Sequence, residues 1–161
     1  MRYGLVALAV VVAVGAAALT IALRAGPGRV IPAHPAVAAS APVQRDGGEG
    51  GVQIEVLYVT AEYAQRSNDA RLQQWQPDRY AVFRVSMDTH TVDLSGYDMV
   101  KVSELVAGGK RYAPLRWVSI SDSSHHRSGA LIFPRIEPVL PVELLIKTVA
   151  GVPVRSFRWA P

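Results

Sequence analysis

The chain of 161 residues contains no cysteine. That absence excludes a disulfide framework, a thiol nucleophile, a thiolate metal site and a lipid-modified cysteine anchor. Lysine is scarce as well, with three Lys beside fourteen Arg, and there is a single Asn. No run of basic residues occurs, and residues 52–161 carry 13 basic against 11 acidic side chains. The net charge of +4 therefore marks neither a nucleic-acid stripe nor a polybasic lipid patch. Catalytic signatures are missing too. There is no G-x-S-x-G, and Gly108-Gly109-Lys110 lacks the upstream glycine spacing of a phosphate loop. Asp122, Ser124 and His125 are the residue types of a hydrolase triad, but a triad is a spatial arrangement rather than a local run. No catalytic residue is expected.

What is present begins with Gly4 to Leu23, twenty residues without a charge and with one hydroxyl, Thr20. A helix of that length spans about 30 Å, the hydrocarbon thickness of a bilayer. A cleaved signal peptide is the competing reading, and Ala36-Val37-Ala38 would suit a peptidase. The run is nevertheless longer than the usual apolar core of a signal peptide, about 7–15 residues. Residues 1–23 are accordingly expected to be a transmembrane anchor of a single-pass cell-membrane protein. With only a short tail before the span, the C-terminal domain is placed outside the cytoplasm. From residue 24 to 51 the chain is mostly Ala, Gly and Pro, which cannot bury a core and reads as a flexible linker.

Residues 52–161 are enough for one core. Val52, Ile54, Val56 and Tyr58 alternate with polar neighbours, and Ala81, Phe83, Val85 and Met87 repeat the pattern, as expected when one face of a strand is buried. Further short strands are expected at 103–107, 110–112, 116–121, 130–133, 142–149 and 154–159. Gly108-Gly109 suits a tight hairpin turn. Short strands with turn signals about every dozen residues predict an all-β fold, an immunoglobulin-like antiparallel β-sandwich.

Residues 61–79 break the spacing, and long loops of this kind are often functional. Tyr63, Arg71 and Trp75 are candidates for a contact surface with a membrane-protein partner, since Trp and Arg are favoured at interfaces. The alternative is a short surface helix whose Leu72 and Trp75 cover the open end of the sandwich.

The histidines of the domain fall in two places, Asp88-Thr-His90 just past one core strand and Ser124-His125-His126 just before another. If the extended geometry continues to Thr91, Asp88 and His90 share a face. Adjacent His125 and His126 then point to opposite faces, so that one of them joins the cluster. Imidazole with carboxylate suits Cu²⁺ or Zn²⁺, making Asp88, His90, His125 and His126 candidate metal ligands. The same residues equally suit a polar corner that hydrogen-bonds backbone groups where one sheet hands over to the other.

The segments Asp88-Thr-His-Thr-Val-Asp-Leu94, His125-His-Arg-Ser-Gly-Ala-Leu-Ile-Phe133 and Phe157-Arg-Trp159 resemble a family of uncharacterised prokaryotic membrane-anchored extracytoplasmic domains. That family shares D-T-H-x-V-D-L, H-H-x-x-G-x-L-x-F and F-x-W. The resemblance spans most of residues 52–159. It implies a sandwich behind a signal or anchor, with His90, His125 and His126 on the family's own histidines, and it implies no activity. Ser123 and Ser124 stand where the family would place glycines.

Overall fold

The computed structural model of the chain describes residues 42–137 and 140–161. The expected span over residues 4–23 and most of the linker lie outside the described residues. Among those described, no helix is long and apolar enough to cross a membrane.

Alternation of side chains along the backbone builds nine strands. They are β1 (Val43–Arg45), β2 (Val52–Val59), β3 (Ala81–Thr89), β4 (Ser103–Ala107), β5 (Lys110–Tyr112), β6 (Arg116–Asp122), β7 (His126–Phe133), β8 (Val142–Lys147) and β9 (Val154–Trp159). They form two antiparallel sheets, β1-β2-β3-β7-β6 and β5-β4-β8-β9. Gly108 and Gly109, both at positive φ, close the β4–β5 hairpin as their lack of a Cβ allows. The inner faces meet in one core: Ile54, Val56, Phe83, Val85, Met87, Leu131 and Phe133 from the first sheet, and Leu105, Leu144, Ile146, Phe157 and Trp159 from the second. Phe83 is its centre, stacked on Tyr58 at 4.7 Å and tilted against Trp159 at 5.3 Å. Burial pushes the Tyr58 phenol up to about 12. The all-β sandwich expected from the pattern is thus the architecture observed.

β7 begins at His126, ahead of the strand expected at 130–133, and two further segments differ from expectation. Residues 61–79 form two short helices, α1 (Ala61–Arg66) and α2 (Ala70–Gln74), capped by the side chains of Thr60 and Asp69. They lie over the outer face of the five-stranded sheet rather than over an end of the sandwich. Ala64, Leu72 and Trp75 form a second apolar cluster there with Leu57, Val59, Val82, Ala130 and Ile132. The sequence carries a signal of this: β2 and β7 end, and the antiparallel β3 begins, in consecutive apolar residues, a sign that both faces are covered at that end of the sheet.

The second difference is the start of the domain. The linker was expected to run to residue 51, yet Val43–Arg45 pairs with Glu55–Leu57. The Pro42 carbonyl accepts from Tyr58 N at 2.9 Å and from Trp159 Nε1 at 3.0 Å. The glycines that follow serve a tight turn. Gly50 sits at φ 65°, and a Cβ there would lie 2.5 Å from the Ala150 carbonyl, so only glycine fits.

Candidate functional site

The polar end of the five-stranded sheet, beyond the reach of α1 and α2, carries the candidate site. β3 and β7 pair in a register that sets Asp88 opposite His126, and both side chains project from the outer face. Asp88 Oδ1 lies 2.8 Å from His126 Nδ1. An ionised carboxylate can only accept, so Nδ1–H donates, and a neutral His126 keeps its lone pair on Nε2. A carboxylate that fixes an imidazole in this way orients it for metal ligation or for a polar ligand. The two side chains remain open, at 53% and 66% exposure respectively.

The pair lines a hollow of about 490 Å³ together with His90, Gln53, Gly47 and Gly48. His90 is exposed and makes no hydrogen bond through its ring among the described residues. It does not stand on the strand as expected, because β3 ends at Thr89. Thr89 turns the chain: its hydroxyl donates to the Gly51 carbonyl at 2.7 Å and accepts from Thr91 N and Val92 N. The polar corner is therefore real, but Thr89, buried to 4% exposure, locks it. Asp88 and His90 take no part in those bonds.

His125 goes elsewhere. Its carbonyl accepts from Thr89 N at 3.0 Å, while its ring is on the side of Asp93. That carboxyl is held below the usual range by hydrogen bonds from Ser95 Oγ and Ser95 N, with a lesser pull from His125. The four expected ligands are thus divided, with Asp88, His90 and His126 on one hollow and His125 outside it. The reason is that His125 lies in the bend that precedes β7, whereas His126 is the first residue of the strand. Among the described residues no group of three or more His, Asp or Glu side chains is close enough to hold a metal ion.

Two buried arginines that the sequence reading passed over support the corner. Arg155 of β9 donates from Nε to Asp46 Oδ2 at 2.8 Å, from Nη1 to the Val149 carbonyl and from Nη2 to the Glu49 carbonyl. Asp46 also accepts from Ile54 N and Gly48 N. This clamp fastens residues 46–51, which wall the hollow. Arg127 of β7 donates to the carbonyls of Leu94 and Tyr97 and to Asp122, holding the segment after the corner. No sequence periodicity flags these residues. Their inward parity on amphipathic strands was the one available hint.

The other candidate surface is differently placed. Trp75 is buried among the residues under α1 and α2, Tyr63 is half-buried at the edge of that cluster, and only Arg71 of the three is exposed. The indole therefore anchors the helices to the sheet and is not offered to a partner.

Compared with known proteins, the chain finds no counterpart: no family model, no curated protein and no solved structure matches it.

Proposed function

We propose that the chain is a membrane-tethered, extracytoplasmic binding module on an immunoglobulin-like sandwich, and that its ligand is engaged by the Asp88–His126 pair. The strand orders β1-β2-β3-β7-β6 and β5-β4-β8-β9 support the immunoglobulin-like reading, since they repeat the ABED and GFC arrangement with one edge strand added to each sheet, β1 and β5. The apolar run before Arg24 supports the tether. The single observation that carries the binding reading is an oriented imidazole, free at Nε2, lining an open hollow with a second unbonded imidazole, His90.

A closed structural zinc site takes four protein ligands. This hollow instead suits a weakly held Cu²⁺ or Zn²⁺ with His126 Nε2 as its principal ligand and with positions left for water, His90 or a partner's donor atom. Docking through residues 61–79, with the histidines only structural, is the less supported reading, because the apolar side chains of that segment are turned inward.

Calorimetric titration of the full chain in non-ionic detergent micelles with Cu²⁺ and with Zn²⁺ tests the proposal. One site per chain is expected, lost in His126→Ala, weakened in His90→Ala and kept in His125→Ala. Binding that survives His126→Ala, or no binding of either ion, would refute the metal-binding form of the proposal.

A further inference from the structure

The outer face of the four-stranded sheet gathers cations around one carboxylate. Glu104 of β4 lies between Lys147 of β8 and Arg111 of β5. Lys147 Nζ donates to Glu104 Oε2 at 2.9 Å, and Arg111 Nη1 donates to Oε1. One negative charge is thus shared by two positive ones. The Lys147 ammonium, followed by the Arg111 guanidinium, holds the Glu104 carboxyl below its usual range. Lys101 approaches from the short helix α3 (Met99–Val102), with Asp98 as its partner at 2.9 Å. These three cations line a second hollow of about 490 Å³ together with Glu104, Ser103 and Tyr112.

Donor capacity in this hollow exceeds what the protein uses. Arg111 engages Glu104 through Nη1 alone, and its Nε and Nη2 have no partner among the described residues. Lys147 uses one of three N–H donors. A free guanidinium edge beside two ammonium groups describes a receptor that can take further acceptors. A tetrahedral oxyanion supplies several acceptors at once, and Arg and Lys are the side chains that bind it.

We propose that this hollow binds a phosphate group, through Arg111 and Lys147 with Lys101 contributing. Glu104 holds the two principal cations in place when phosphate is absent and competes with it for them. The phosphate belongs either to a soluble phosphorylated ligand or to a phospholipid headgroup, which present the same oxygens.

The probe is inorganic phosphate titrated into the full chain in non-ionic detergent micelles, followed by NMR shifts of Arg111 and Lys147 at constant ionic strength. Saturable binding is expected, weakened about tenfold in Arg111→Ala and in Lys147→Ala, as loss of a charge-assisted hydrogen bond implies. Glu104→Gln, which removes the competitor but keeps its shape, is expected to tighten binding. Arg111 is exposed while Lys147 and Glu104 are half-buried, and unchanged core resonances would verify that each variant folds. Doping the micelles with phosphatidylglycerol distinguishes the sources: competition with phosphate indicates a headgroup, and its absence alongside phosphate binding indicates a soluble ligand. Chloride shifting the same resonances equally, or affinity unchanged in Arg111→Ala, would overturn the proposal.

Discussion

Two acid–base pairs stand on either side of one loop, and they differ in almost everything but charge type. Asp46–Arg155 is enclosed, with side chains 10% and 1% exposed, and every nitrogen of the guanidinium has a partner. Asp88–His126 is open, and the far nitrogen of its imidazole is uncommitted. Desolvated charges must be fully hydrogen-bonded or the fold loses more than it gains. Solvated charges contribute little to stability and stay free to meet a ligand. The first pair therefore builds the wall of the hollow, and the second is what the hollow presents.

Breaking the enclosed pair gives the largest expected effect. Arg155→Ala strands the Asp46 carboxylate and two carbonyls, and should cost about 3–5 kcal/mol in urea unfolding. It should also loosen residues 46–51, read as faster amide exchange at Gly48 and Gly51 than at the strand centres. Thr89→Val comes next. It keeps the volume but orphans the Gly51 carbonyl at the foot of the same loop, and should cost about 1–3 kcal/mol. An unchanged unfolding midpoint in either variant would contradict the division into wall and ligand-facing pairs. The smallest effect belongs to the open pair: His126→Ala should melt with the parent protein while losing the titratable metal site. A large drop in its melting temperature would make His126 architecture after all.

Much of the fold was legible because burial on one face writes a period of two into the sequence. β4, β5 and β9 run over the residues that alternation and the Gly108-Gly109 turn mark out. Residues of the motif segments singled out in the sequence also have physical roles. Gly129 is where a Cβ would meet the Trp117 ring at 2.4 Å, and Phe133, Phe157 and Trp159 enter the core. Less legible was anything that depends on a distant partner. Residues 43–45 look like linker until β2 is beside them, and the glycines after them look flexible until Ala150 is seen to fill the space a side chain would need. At the candidate site, the residue types were readable and so was the expectation that one of His125 and His126 would join Asp88, but not which one, nor that Thr89 would make the turn.

The sequence alone determined which faces of the strands are buried, hence a two-sheet β architecture, because local alternation is all that such burial requires. It also marked an apolar run of membrane-spanning length. Only the tertiary structure decided that Arg155 reaches Asp46 across 109 positions of chain, that α1 and α2 cover one half of a sheet, and that Asp88 faces His126 and not His125. Pairing of this kind depends on strand register and on which elements meet, and long-range register is fixed by the packed whole, not by any local run of residues.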